Sequence, residues 1–188
     1  MKYKIREIFY SLQGEGCNTG MPAVFVRFSG CNLRCPWCDT DFSTYTELTA
    51  DEIVAKAKEL NSEARYIILT GGEPSLQVDQ TLIDALHQAG YCIAMETNGT
   101  RELPTGIDWI TCSPKEGSTL KLKHADEVKV VYYGIYPEHW RNEITSDNWL
   151  LQPLARDREI NTNEVVEYIL AHPEWRLSLQ THKLIGLR

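Results

Sequence analysis

Gly30-Cys31-Asn32-Leu33-Arg34-Cys35-Pro36-Trp37-Cys38-Asp39-Thr40 is the stretch from which the chain is read. Three cysteines fall within eight residues, spaced C-x3-C-x2-C. A loop this short can wrap three thiolates around three corners of an iron–sulfur cube. A two-cluster ferredoxin run goes on to a further cysteine and a proline, and no cysteine follows Cys38 at that spacing. Three protein ligands leave one iron open to a non-protein ligand, which turns an electron carrier into a catalyst. The same triplet, completed by Cys17 or a histidine, also fits a zinc site.

Immediately upstream, Ala23-Val24-Phe25-Val26-Arg27-Phe28 is a β-branched and aromatic run that reads as a buried strand feeding the cysteine loop. Arg27 is its anomaly, because a charge there needs a partner and that strand has no acidic neighbour. Before it, Lys2 to Tyr10 reads as an exposed first strand, ending in the polar turn Ser11-Leu12-Gln13-Gly14-Glu15-Gly16. Downstream, three helix starts carry caps. Thr49 and Glu52 form a capping box with Leu48 and Ile53 as a staple; Asp79 caps a second helix that Gly90 ends; Asn161 caps a third. Short apolar runs begin at Tyr66, Tyr91, Trp109, Val128, Trp149 and Trp175, while 133–148 has no clean period. Strands alternating with helices predict an α/β fold with a mainly parallel sheet, as one domain over 1–188.

Polar clusters follow the strands: Thr70-Gly71-Gly72-Glu73-Pro74, Glu96-Thr97-Asn98-Gly99, Ser113-Pro114-Lys115, Gln152-Pro153 and Gln180-Thr181-His182-Lys183. Parallel α/β folds bind ligands at the C-terminal edge of their strands. These clusters and the cysteine loop therefore predict one rim.

The formal charge of −7 argues against a nucleic-acid surface. The first residues lack the apolar core of a signal peptide, and no apolar run reaches membrane-span length. Six cysteines then point to metal or catalysis before disulfides, in a cytosolic protein.

The cysteine loop together with Gly71-Gly72-Glu73-Pro74 resembles the paired motifs of the radical S-adenosylmethionine (SAM) enzymes. Ser11 to Gly16, Arg27, Cys38-Asp39-Thr40, Thr70 to Pro74, Cys112 to Lys115, Leu151 to Pro153 and Leu179 to Lys183 resemble, more narrowly, the 7-carboxy-7-deazaguanine synthases. That likeness runs from the first strand to the last. It implies an incomplete TIM-like barrel of the radical SAM type, abbreviated in helices. It also implies a lyase that converts 6-carboxy-5,6,7,8-tetrahydropterin to 7-carboxy-7-deazaguanine with loss of ammonia, in queuosine and 7-deazapurine biosynthesis.

By the same resemblance, Cys31, Cys35 and Cys38 hold one [4Fe-4S] cluster, and Thr40 supplies an oxygen to Mg²⁺. Leu12, Gln13, Gly14, Arg27 and Thr70 contact the pterin, with Arg27 on its carboxylate; His182 hydrogen-bonds it. Trp37, Cys38, Asp39, Gly72, Glu73, Ser113, Pro114, Lys115 and Gln152 face SAM. A flavodoxin or ferredoxin delivers the electron, and the chain forms a homodimer. Cys17, Cys92 and Cys112 read as small core or loop residues. Two rivals share the triplet. A glycyl-radical activating enzyme has no reason to carry Gln13 and Arg27 together, and a non-enzymatic zinc or iron–sulfur module does not need the Gly-Gly-Glu-Pro turn.

Overall fold

The computed structural model describes residues 1–38, 40–41, 43–156 and 159–187. A nine-stranded sheet organises them. The strands, in chain order, are β1 (Tyr3–Leu12), β2 (Pro22–Phe28), β3 (Thr46–Leu48), β4 (Tyr66–Gly71), β5 (Cys92–Thr97), β6 (Trp109–Cys112), β7 (Glu127–Tyr132) and β8 (Asn148–Pro153). A separate two-stranded hairpin, β9 (Ala155–Arg156) with β10 (Glu159–Ile160), precedes β11 (Arg176–Leu177). Sheet order is β11-β8-β7-β6-β5-β4-β2-β1-β3. β2, β4, β5, β6, β7, β8 and β11 pair in parallel, while β1 runs antiparallel to both β2 and β3.

Helices are sparse. α1 (Ala50–Leu60) and α2 (Gln80–Gln88) precede β4 and β5. α3 (Thr162–Ala171) precedes β11, and α4 (Thr181–Leu184) is one turn. The β5–β6 and β6–β7 crossovers carry no helix among the described residues, and β7–β8 carries a 3₁₀ turn, Pro137–Asn142, in the stretch without clean period. This is the expected partial barrel, short of helices. No helix among the described residues is long and apolar enough to cross a membrane.

The capping box of α1 forms as expected, with Thr49 accepting from Glu52 N–H and Glu52 reaching back to Thr49 N–H. Asp79 caps α2 through Leu82 N–H, and Gly90 follows it at φ +87. Asn161 departs from expectation and makes no side-chain cap. Its amide instead donates to Tyr132 O and accepts from Leu154 N–H, so it ties α3 to the ends of β7 and β8. The first strand is not exposed either. Lying between β2 and β3, β1 buries Tyr3, Ile5 and Phe9. The final strand is shorter than the apolar run from Trp175 suggests.

The period-2 alternation of parallel strands sorts the residues into layers. Val24, Val26 and Phe28 on β2, Ile67 and Leu69 on β4, and Ile93 and Met95 on β5 pack outward against α1 and α2. The alternate positions Ala23 and Phe25, Tyr66 and Ile68, and Ala94 line the concave face as a second apolar cluster with Phe9. One step further toward each C-terminal end, that inner series turns polar: Arg27, Thr70, Glu96 and, across the sheet, Thr111, Lys129 and Gln152. Register places Arg27 beside Thr70 and Glu96 beside Thr111. The inside of the barrel thus has an apolar floor and a polar rim.

Candidate active site

A cavity of about 610 Å³ opens above that floor. Cys31, Cys35 and Cys38 border it on one side, with Trp37 and Thr40 from the same loop. The loop sits where β2 ends because the Gly-Gly-Glu-Pro turn, at the end of the neighbouring β4, grips it by the backbone. Gly72 N–H donates to Phe28 O at 3.0 Å and Glu73 N–H to Gly30 O at 2.9 Å. A Cβ on Gly72 would lie 2.0 Å from Gly30 O, so only glycine allows this approach. Within the loop, Cys38 N–H reaches Cys35 O at 3.1 Å, and Leu33 N–H points at Cys31 Sγ at 3.4 Å.

This donor set fits a cluster better than a single ion. Among the described residues no three His, Cys, Asp or Glu side chains converge tightly enough to hold one metal ion. A tetrahedral zinc needs its donors about 2.0–2.3 Å from one point, whereas a four-iron cube presents its corners several ångströms apart. Cys17 does not complete the trio. Its N–H is taken by Glu127 and its sulfur faces Arg176. Burial, then Glu127, pushes its thiol up to about 11. Burial pushes the thiol of Cys112 up to about 12, and Cys92 is exposed at the N-terminal start of β5, away from the rim. Burial also raises Cys31 and Cys35, so their thiolates need the positive charge that bound iron supplies.

Glu73 is almost completely buried and accepts three hydrogen bonds: from Thr97 Oγ1 and Asn98 N–H, both at 2.7 Å, and from Ser75 N–H at 3.1 Å. It clamps the turn to the end of β5 and keeps one lone-pair position for a ligand. Ser113 and Lys115 border the cavity beside the cysteine loop; Pro114 is buried behind them and does not line it. Lys115 Nζ donates to Ser113 O at 2.7 Å and Ser113 Oγ at 2.6 Å and stands over Trp37 at 5.5 Å. Burial pulls its ammonium below the ordinary lysine value. It has no carboxylate partner among the described residues. A desolvated cation in that position favours an anionic group beside it. Asp39 lies outside the described residues.

The opposite wall carries Leu12, Gln13, Gly14, Arg27, Thr70, Gln152 and His182. Glu96, which the sequence reading placed on the rim without assigning it a role, joins two of them. It accepts from Thr70 Oγ1 at 2.7 Å and from Gln13 Nε2 at 3.0 Å. Arg27 has the partner that its own strand lacks. Glu7 sits opposite it on β1, and Arg27 Nε donates to Glu7 Oε1 at 2.8 Å. The guanidinium stands over the Phe9 ring at 5.9 Å, its Nη groups make no further hydrogen bond or ion pair among the described residues, and the residue lines the cavity.

Behind Gln13, Glu15 accepts from Lys129 Nζ and from Gln180 Nε2, the latter at 2.8 Å. Burial works against the Glu15 carboxylate, but the Lys129 charge and these two hydrogen bonds outweigh it and lower its pKa. For Lys129, burial is outweighed by Glu15 and Glu96, and its pKa rises. Gly14 O accepts from Thr181 N–H at 2.8 Å, and Gly16 N–H donates to Ser178 Oγ at 3.0 Å. A Cβ on Gly14 would fall 2.1 Å from His182 Nδ1, so glycine lets the histidine close over the loop. Ser178 Oγ also reaches Gln152 Oε1 at 3.2 Å. These contacts close the seam between β1 and β11, the open side of the barrel. Lys129 had a sequence signal like that of Arg27: a charge between Val128 and Val130 in an apolar strand.

Cysteine trio, Gly-Gly-Glu-Pro clamp and parallel barrel define the radical SAM class, and the family model described as the radical SAM superfamily matches residues 25–171. The chain is 53% identical to a 7-carboxy-7-deazaguanine synthase of Bacteroides thetaiotaomicron, with all of both chains covered. It is 43% identical to that of Nitratidesulfovibrio vulgaris, again over the whole of both. The crystal structure of QueE from Escherichia coli matches with a TM-score of 0.80 at 30% identity, covering 97% of this chain and 95% of that one. The chain belongs to the 7-carboxy-7-deazaguanine synthase family.

Proposed function

We propose that this protein converts 6-carboxy-5,6,7,8-tetrahydropterin to 7-carboxy-7-deazaguanine as a radical SAM lyase of 7-deazapurine and queuosine biosynthesis. The observation that carries the reading is that one cavity has the cysteine trio on one wall and Gln13, Arg27, Thr70 and Glu96 on the other. A SAM-derived radical and a bound pterin would therefore share one cavity.

When bound, the [4Fe-4S] cluster and SAM supply the radical that starts the reaction. The residues of the chain bind, orient and exclude water. Cys31, Cys35 and Cys38 hold the cluster. The backbone at Gly72, the spare acceptor of Glu73, and Ser113 with Lys115 suit the amino, carboxylate and hydroxyl groups of SAM, beside Trp37, with Gln152 across the cavity and Pro114 holding the turn 113–115 from behind. Gln13 and Gly14 offer amide and backbone groups to the pterin ring, with Leu12 at its edge. Thr70 and His182 add hydrogen-bonding groups, and the Nη face of Arg27 suits the substrate carboxylate. The apolar floor of Phe9 and Phe25, stacked at 5.0 Å, shields the site from below.

Thr40 is the protein ligand we assign to Mg²⁺. One neutral oxygen is a sparse protein contribution for a hard divalent ion, so substrate and water complete its shell. A flavodoxin or ferredoxin as electron donor, a homodimer and a cytoplasmic site of action belong to the same reading.

Anaerobic incubation of reconstituted protein with SAM, reductant and the carboxytetrahydropterin, followed by mass analysis, tests it. The expected product has lost the elements of ammonia and carries the deazaguanine mass. SAM cleavage without that product overturns the assignment.

A further inference from the structure

We propose that Lys129 is a positioning residue for the substrate: through the Glu15 carboxylate it holds both the Leu12-Gln13-Gly14 turn and the C-terminal segment that carries His182. The inference rests on the function proposed above, since pterin affinity is the property that this contact governs.

The need for such a device lies in the sheet order. β11 ends one side of the sheet and β1 lies near the other, next to β3, so the two share no hydrogen-bond ladder among the described residues. Curvature nevertheless brings the turn after β1 against the segment after β11. The residues assigned to the pterin thus come from two sides of a seam that no ladder registers. Thr181 N–H to Gly14 O and Gly16 N–H to Ser178 Oγ cross it, but neither bond orients the side chain of Gln13 or Gln180.

β7 does that from the inner wall. Glu127 and Lys129 stand two positions apart on one face of that strand and grip the turn with opposite charge. Glu127 Oε2 accepts from Cys17 N–H at 2.7 Å, and Lys129 Nζ donates to the Glu15 carboxylate. Glu15 passes the hold on in two directions. Its own N–H donates to Gln13 Oε1 at 3.1 Å, while Gln13 Nε2 donates to Glu96 at 3.0 Å. An N–H only donates and a carboxylate only accepts, so the Gln13 amide is fixed in one of its two orientations. In the other direction, Glu15 Oε1 accepts from Gln180 Nε2 at 2.8 Å, and Gln180 directly precedes the helical turn with His182. Lys129 borders the cavity, yet its ammonium is turned to Glu15. One buried cation therefore sets a donor–acceptor edge and a histidine on opposite sides of the seam.

A merely structural ion pair needs only to be neutralised, whereas a positioning pair must keep its geometry, because a misplacement of about 1 Å can cost about a hundredfold. The test compares reconstituted wild type, the double variant Glu15→Gln with Lys129→Met, and Gln180→Ala. Measured for each are the urea midpoint, amide exchange over 178–187, and the separate Kd values for the carboxytetrahydropterin and for SAM. The double variant removes both buried charges, so its urea midpoint should return close to wild type. Its pterin Kd should nonetheless stay about tenfold or more above wild type, with SAM Kd within roughly twofold. Exchange over 178–187 should be faster than in wild type and unchanged over 66–71. Gln180→Ala cuts the C-terminal arm alone and should weaken pterin binding by about three- to tenfold. A double variant that regains pterin affinity together with stability overturns the proposal, because the pair is then only structural. An equal loss for SAM, or wild-type pterin affinity in Gln180→Ala, overturns it as well, whether or not the double variant folds. Failure of the proposed function reads differently and takes this inference with it: wild type itself would then bind SAM but not the pterin.

Discussion

On the cysteine-loop side of the cavity the backbone holds the shape, and on the Gln13 side the side chains do. Gly72 and Glu73 clamp the loop through main-chain hydrogen bonds to Phe28 and Gly30, and Ser113 N–H is fixed on Thr97 O at 2.8 Å. Across the cavity, Glu15 meets Lys129 and Gln180, while Gln13 meets Glu96. A main-chain clamp needs glycines and short spacing, and it tolerates most changes to the side chains around it. A side-chain seam fails when one partner is lost, because a buried charge is left unpaired. The two walls should therefore break in different ways.

The largest effect belongs to the thiolates, where the first wall meets its cofactor. Cys31→Ala, Cys35→Ala or Cys38→Ala should each remove the visible absorption of the reconstituted cluster and reduce SAM cleavage to background. Cys17→Ala should keep both, because that side chain faces Arg176 and Glu127. Equal bleaching in a folded Cys17→Ala protein would mean that a fourth protein ligand occupies the iron assigned to SAM.

Next comes the seam. Lys129→Met leaves the Glu15 carboxylate buried without its cation, at a cost of about 3–5 kcal/mol. The urea midpoint should fall accordingly, and Glu15→Gln combined with Lys129→Met should regain most of the loss. The pH dependence has a defined sign. The folded-state pKa of Glu15 is lowered, so its contribution is complete above the unfolded value of about 4.3 and is lost as pH falls through the folded one. The folded-state pKa of Lys129 is raised, so its contribution is complete below about 10.4 and is lost as pH rises through the folded value. Lys129→Met should flatten both limbs of the stability profile. An unchanged acid limb would move the source of acid sensitivity to another carboxylate.

Arg27 tests whether the second wall recognises a charge. Its Nε belongs to Glu7, so a carboxylate must be met by the Nη groups. Hydrogen bonds to charged groups contribute about 1.5–3 kcal/mol, and Arg27→Lys should weaken substrate binding roughly ten- to a hundredfold. Lysine can keep the ion pair with Glu7 but cannot present a second planar edge. SAM binding and the cluster should survive. An analogue without the carboxylate should bind wild type poorly and lose little further on Arg27→Lys. If both ligands lose the same factor, Arg27 serves only to pair with Glu7.

This contrast also explains what could be read in advance. The Cys31–Cys38 loop, the Gly72 approach and the Thr49 capping box are local in sequence, so spacing and residue type alone expose them. The mainly parallel α/β character followed from apolar runs between helix caps, whereas the order of the strands in the sheet came from the structure. Glu7 facing Arg27 was not legible, because an antiparallel register across the β1–β2 turn decides it and a slip of one residue would turn the carboxylate to the other face. Glu96 was placed on the rim with its cluster, but its hold on Gln13 and Thr70 and the pairing of Lys129 with Glu15 became visible only when the strands brought these residues together. Asn161 had the residue type of a cap, yet the ends of β7 and β8 offered its amide stronger claims. Contacts between residues more than a hundred positions apart, as in Glu15 with Lys129, leave no trace in either residue's neighbourhood.

The smallest expected effect lies at Thr40, where the two walls meet. Thr40 follows Cys38, whose sulfur lies 3.8 Å from Thr40 O, and the next residues are tied to β1 by Arg6. Arg6 Nε donates to Asp41 O at 3.1 Å and its Nη1 to Thr44 Oγ1 at 2.7 Å. Thr40 thus belongs to the backbone-held wall and lines the cavity that the substrate would fill. As a single neutral donor to Mg²⁺, it should contribute no more than a neutral hydrogen bond does, about 0.5–1.5 kcal/mol. Thr40→Ala should then raise the Mg²⁺ concentration for half-maximal turnover by a few-fold to about tenfold, with the cluster spectrum unchanged. Thr40→Ser, which keeps the oxygen, should restore the wild-type titration. Because substrate oxygens would complete the shell, the Mg²⁺ affinity of the substrate-free protein should be weak in all three proteins. Tight Mg²⁺ binding without substrate, or a Thr40→Ala titration that overlays wild type, would move the ion to another protein oxygen, with the carboxylate of Asp39 the next to substitute.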